Sequence, residues 1–92
     1  MKVYLAGKIT GVKNYREKFE KKEKELKAMG FTVINPAVLP DGFEHHEYLH
    51  INKAMIDVCD GIYFMPCWKE SPGAIIENTY ATKKEKTIIY ET

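Results

Sequence analysis

A small Rossmann-like (flavodoxin-like) α/β sandwich, about four parallel strands with helices on both faces, is the fold this 92-residue sequence predicts. Three observations carry that expectation. Apolar runs of four or five residues alternate with longer stretches of helical periodicity, in the order β-α-β-α-β-α-β. The runs are apolar almost without a break, as in parallel sheets covered on both faces. The apolar share is 45%, enough for one core, and the length suits a single domain over residues 1–92.

Lys2-Val3-Tyr4-Leu5-Ala6 reads as the first, buried strand, and residues 7–11 as the tight loop after it. Residues 14–29 read as a helix, with Val12, Tyr15, Phe19, Leu26 and Met29 on one stripe. Glu17–Lys21, Glu20–Lys24 and Glu23–Lys27 are i,i+4 pairs in the favourable order, and Gly30 suits the position after the helix end. Because Glu and Lys alternate, this charge run is a solvated face rather than a nucleic-acid patch. Residues 31–34 form a second strand, stopped by Asn35-Pro36. Residues 37–44 are irregular around the turn Pro40-Asp41-Gly42.

Residues 47–59 read as a second helix, with Leu49, Ile51, Met55, Ile56 and Val58 available for packing. Residues 61–65 are a third strand ended by Pro66, and residues 67–70 a loop. A third helix is expected over 72–83. Ser71 is its N-cap, Pro72 suits its first position, and Ile75 and Ile76 are expected to pack on the sheet. Residues 87–90 close the sheet. Right-handed crossovers then place every strand's C-terminal end on one edge, where such sheets bind ligands. Three stretches reach that edge: residues 7–11, Asn35-Pro36, and residues 67–73.

Composition excludes several classes. A net charge of +1 implies neither a polyanion nor a membrane surface. The first apolar run is five residues long and Gly7 ends it, unlike a signal peptide, and no run is long enough to span a bilayer. Cys59 and Cys67 form no CxxC pair, so the expectation is reduced thiols in a cytoplasmic protein. No cofactor is called for.

The chemistry-bearing residues each have a plain alternative. Gly7 and Gly11 frame a loop whose Lys8, Ile9 and Thr10 offer backbone amides, an ammonium and a hydroxyl to a phosphate. It is neither a Walker A loop nor GxGxxG, and a simple strand-to-helix turn accounts for it equally. His46-Glu47-Tyr48-Leu49-His50 spells HExxH, the pattern of a zinc hydrolase, but no further Gly-x-x-His follows; solvent-facing histidines are the simpler reading. Trp68 either stacks on a base, caps the core or meets another subunit. Cys67 beside it has no nearby histidine to make it reactive. Asp60, before Gly61, is a turn residue. Asn52 shares a helix face with Met55 and Ile56. Glu77, about a turn and a half into the third helix, is the carboxylate best placed for chemistry.

Taken together, Tyr4-Leu5-Ala6-Gly7-Lys8-Ile9-Thr10-Gly11, Phe31-Thr32-Val33-Ile34-Asn35-Pro36, Cys59-Asp60-Gly61-Ile62 and Ser71-Pro72-Gly73-Ala74-Ile75-Ile76-Glu77 resemble the nucleoside 2-deoxyribosyltransferase superfamily. They are also similar to the deoxynucleoside 5′-monophosphate N-glycosidases. The resemblance covers nearly the whole chain. It implies that Glu77 is the nucleophile on the anomeric carbon, that Tyr4 positions it, and that Ser71 and Gly73, with the loop Gly7, Lys8, Ile9, Thr10 and Gly11, hold a 5′-phosphate. Ser71 stands where the transferases carry an aspartate, which leans toward a monophosphate. Asn52 also stands where they carry an aspartate, which removes an acid for the leaving base.

The expectation is therefore an enzyme that cleaves or transfers the N-glycosidic bond of a deoxynucleoside or its 5′-monophosphate, and that forms a homo-oligomer. The rival is a binding module for a nucleotide or nucleotide-derived signal. Neither involves nucleic acid or a membrane.

Overall fold

The computed structural model describes residues 1–91. Its elements are β1 (Lys2–Ala6), α1 (Tyr15–Ala28), β2 (Thr32–Ile34), α2 (His45–Asp57), β3 (Gly61–Phe64), α3 (Pro72–Lys83) and β4 (Thr87–Tyr90), with single 3₁₀ turns over Pro36–Val38 and Trp68–Glu70. The strands form one parallel sheet in the order β2-β1-β3-β4. The expected three-layer sandwich is thus the observed one. Among the described residues no helix is long and apolar enough to cross a membrane.

The layers follow from the period of two in a strand. Val3 and Leu5 of β1 pack with Phe19 and Leu26 of α1 on one face, joined by Val33, Tyr63 and Ile89. Tyr4 and Ala6 turn to the other face, where Ile62 and Phe64 of β3 meet Ile56 of α2 and Ala74 and Ala81 of α3. Every strand thus gives alternate side chains to two separate cores. The chain winds from β1 outward to β2, then crosses back to β3 and on to β4. That reversal opens a crevice beyond the C-terminal ends of β1 and β3.

The helices differ from expectation at their ends. Of the three expected ion pairs along α1, Lys24–Glu20 and Lys27–Glu23 close at 3.2 and 2.6 Å, Glu17–Lys21 does not form among the described residues, and the neighbouring Lys22 joins Glu25 and Glu91. Met29 and Val58 are exposed rather than packed, because each is the residue on which its helix ends. α2 starts earlier than expected, since Glu44 and Glu47 form a reciprocal capping box at its N-terminus. Its other end is closed by Lys86, whose Nζ donates to the carbonyls of Asp57 and Cys59 at 3.0 and 2.8 Å.

The largest departure is the rotation of α3. Its buried residues are Ala74, Glu77 and Ala81, while Ile75 and Ile76 stay 44% and 38% exposed. Spacings of three and four put those buried positions on one stripe. The two alanines let the helix approach the sheet closely, and Glu77 between them is carried inward.

Gly61 serves close packing of another kind. A Cβ there would lie 2.7 Å from the Thr87 carbonyl oxygen on β4. Since that atom is backbone, the β3–β4 pairing would have to open. Gly61→Ala should destabilise the fold by about 1–3 kcal/mol, as overpacking does; a urea midpoint equal to that of the wild type would contradict this contact.

Candidate active site

Two chain segments and the helices α2 and α3, with Tyr15 and Phe19 of α1, enclose a cleft of about 350 Å³ at the C-terminal edge of the sheet. That is within the size range of small-ligand pockets. β1 supplies Tyr4 and delivers Gly7, Ile9 and Thr10 just beyond its end. The segment after β2 supplies Pro36, Ala37, Leu39 and Asp41. α2 contributes His45, Tyr48 and Asn52, and the start of α3 contributes Ser71, Gly73 and Glu77.

Glu77 is the buried carboxyl of the cleft. It is 5% exposed, and the Tyr4 hydroxyl donates to its Oε2 at 2.6 Å. Period two turns Tyr4 toward the α2–α3 layer, and the stripe of α3 turns Glu77 toward the sheet, so the two meet across the layer boundary. Burial pushes the Glu77 carboxyl from its ordinary 4.5 up to about 7, against the Tyr4 hydroxyl and the Asn52 amide, which both favour the charged form. Burial, and then the adjacent carboxylate, keep the Tyr4 hydroxyl protonated well above its ordinary range. Asn52 has a buried Oδ1 with no hydrogen-bond partner among the described residues. A buried acceptor left without a donor is costly, which marks this point as one a ligand can complete. A carboxyl whose pKa is raised by burial in a cleft marks a candidate functional site.

The N-terminus of α3 forms as expected. Asn35 and Ser71 act alike as N-caps: the Asn35 side chain accepts from the Ala37 amide at 2.9 Å, and the Ser71 hydroxyl accepts from the Ala74 amide at 3.2 Å. Gly73 lies beside His45, whose Cε1 is 3.9 Å from where a Cβ would stand. The starts of α2 and α3 therefore adjoin at the cleft, which His45 and Gly73 both line.

Several expected residues sit elsewhere. Lys8 is turned to an ion pair with Glu70 at 3.6 Å and does not line the cleft, nor does Gly11, which serves a turn at φ +80°. Trp68 is outside the cleft too. Its ring packs on Phe64, with centroids 4.8 Å apart, and on Tyr90, 5.5 Å apart, so it caps the core rather than presenting a face to a ligand there. The HExxH string lies along exposed turns of α2. Glu47 is committed to the capping box, accepting from the Glu44 amide at 2.8 Å. Among the described residues no group of three or more His, Cys, Asp or Glu comes together as a metal site. Cys59 is buried, Cys67 is exposed, and neither is in a disulfide. Asp60 accepts from the Lys2 amide at 2.8 Å, tying the start of β1.

The wall formed by residues 37–43 was not legible as part of a site. Arg16 holds it: Nε donates to the Ala37 carbonyl and Nη2 to the Leu39 carbonyl, both at 3.1 Å, and Nη2 reaches Asp41 at 3.2 Å. The Tyr48 hydroxyl donates to the Pro40 carbonyl at 2.6 Å. The only sequence signal was Pro40-Asp41-Gly42, which reads as an ordinary turn.

The family model described as "Domain of unknown function (DUF4406)" matches residues 1–90 of this chain. No curated protein matches it.

Proposed function

Because the chain belongs to the family described as domain of unknown function DUF4406, whose description names no activity, we propose a function from the cleft itself: cleavage or transfer of the N-glycosidic bond of a deoxynucleoside or its 5′-monophosphate. The observation that carries this reading is the Tyr4–Glu77 pair, a buried carboxyl held by a 2.6 Å hydrogen bond in a cleft of nucleoside size. The resemblance to the nucleoside 2-deoxyribosyltransferase superfamily, which implies these same two residues, supports it.

The reaction follows from the groups present. N-glycosidic cleavage passes through a cation-like sugar, which a carboxylate stabilises and then traps. The Glu77 carboxylate bonds to the anomeric carbon as the C1′–N bond breaks. The bonding electrons leave with the base, which takes its proton from solvent because Asn52 has none of the acidity of an aspartic acid. Water then opens the ester, returning the carboxylate to Glu77 and a proton to solvent; a second base in place of water gives transfer. Tyr4 keeps the nucleophilic carboxylate in one orientation throughout. The exposed Ile75 and Ile76 on α3 support a homo-oligomer.

Base release tests the reading. The protein is incubated with deoxynucleosides and their 5′-monophosphates, with and without an acceptor base, and the products are separated by chromatography. Free base, or a new nucleoside when acceptor is present, is the expected result. Absence of both, with nucleotide binding retained, would make the cleft a binding module instead.

A further inference from the structure

One wall of the cleft is gripped from behind, by a residue that does not line the cleft itself. Of residues 37–41, Ala37, Leu39 and Asp41 line it, whereas Val38 between them is exposed. The three that line it are the three that Arg16 holds. Its Nε donates to the Ala37 carbonyl and its Nη2 to the Leu39 carbonyl, both at 3.1 Å, and Nη2 meets the Asp41 carboxylate at 3.2 Å. The guanidinium also lies over the Tyr15 ring, 5.1 Å from its centroid, which gives it a second support.

The grip comes from the far side of the wall. Arg16, Ala37 and Val38 border a second groove of about 480 Å³, together with Glu20 and Lys24 of α1. The Arg16 side chain is half-exposed and that of Asp41 more so, so their ion pair is screened and contributes little. The two carbonyl bonds carry the grip. A planar guanidinium fork reaches both carbonyls at once, which the compact ammonium of a lysine does not reproduce. From the other side α2 adds the Tyr48 hydroxyl, which donates to the Pro40 carbonyl at 2.6 Å. The Tyr4–Glu77 pair is held separately, by β1 and α3.

We infer that Arg16 is a positioning residue: without lining the cleft, it sets the affinity for ligand by holding Leu39 and its neighbours in place to receive it. The inference rests on this cleft being the ligand site of the reading above, and not on the chemistry at Glu77.

The test is base release from 2′-deoxynucleosides and their 5′-monophosphates by Arg16→Ala and Arg16→Lys. Both variants should raise KM by about tenfold or more, with kcat within about threefold of the wild type, the pattern of lost binding rather than lost chemistry. The position emptied in Arg16→Ala opens on the second groove. Guanidinium chloride at about 20 mM, far below its denaturing range, should therefore restore most of the KM of Arg16→Ala, and methylammonium should not. A residue that only supports the fold would show neither the split between KM and kcat nor this selectivity. An unchanged KM, a kcat that falls as KM rises, recovery by lysine, or no difference between guanidinium and methylammonium overturns the inference and leaves the N-glycosidic reading intact. If the wild type releases no base, that reading fails, and calorimetric titration with the same compounds decides. Binding weakened about tenfold in both variants then supports the inference; equal binding, or none by the wild type, overturns it. If urea unfolding shows that Arg16→Ala has lost its fold, Arg16→Lys carries the test; loss of the fold in both makes Arg16 a structural residue and overturns the inference.

Discussion

Glu77→Gln should reduce base release by at least about a thousandfold, an increase in the barrier of about 4 kcal/mol. Glutamine keeps the shape and can still accept from the Tyr4 hydroxyl, now at 2.6 Å from Oε2, but it cannot trap an anomeric carbon. Substrate affinity should change only a few-fold, because Ser71, Gly73, His45 and Asn52 still line the cleft. Single-turnover measurements separate the two effects. A variant that retains a tenth or more of wild-type activity would remove Glu77 from the chemistry and leave it a buried structural carboxyl.

The second large effect is on stability, and its sign is unusual for a carboxyl. Burial raises Glu77 from 4.5 to about 7 in the folded protein. Between those values the folded chain keeps a proton that the unfolded chain has released. By linkage, the contribution of this group is fully present below pH 4.5 and is lost as pH rises through 7. Each pH step is worth about 1.4 kcal/mol, which gives a total of about 3 kcal/mol. Urea unfolding of the wild type should therefore lose up to that amount between pH 5 and pH 8 relative to Glu77→Gln, which does not titrate. Parallel stability curves for the two proteins would contradict a raised carboxyl. The same titration sets the rate: the ionised nucleophile accumulates as pH rises through about 7.

These two effects oppose one another. A protonated Glu77 favours the fold, and an ionised one is what the proposed reaction requires. A group kept against its own stability cost is most simply explained by function.

Much of the architecture was legible because it depends on short-range pattern. The four strands were visible as unbroken apolar runs, and α3 announced itself through Ser71 and Pro72, which cap it as expected. What misled was rotation. Ile75 and Ile76 are the more apolar residues of α3, yet the sheet receives Ala74, Glu77 and Ala81. Hydrophobicity favours isoleucine inside, but the close approach of helix to sheet favours small side chains, and packing wins.

The site was legible in part for the same reason. Tyr4 and Glu77 are separated by 73 positions, so no local spacing connects them, and only the resemblance placed them together. The loop after β1 was visible from its glycines, yet the direction of Lys8 depends on Glu70, which lies beyond β3. Trp68 could not be assigned from sequence because its role is decided by Phe64 and Tyr90 on two different strands. Asp41 read only as part of a turn, since its place in the wall depends on Arg16 in α1.

The way Arg16 fastens residues 37–41 has a further consequence for how the molecule breathes. That wall is anchored by a guanidinium on two carbonyls and a carboxylate, and by the Tyr48 hydroxyl on a third carbonyl, not by rungs of the sheet. Beyond Ala37, which is buried in the core, its opening should therefore depend on a few side-chain bonds and less on the global unfolding of the strands. Hydrogen exchange should accordingly find the amides of residues 38–43 opening more readily than those of β1 and β3, so that the wall can move while the sheet that holds Tyr4 against Glu77 stays closed.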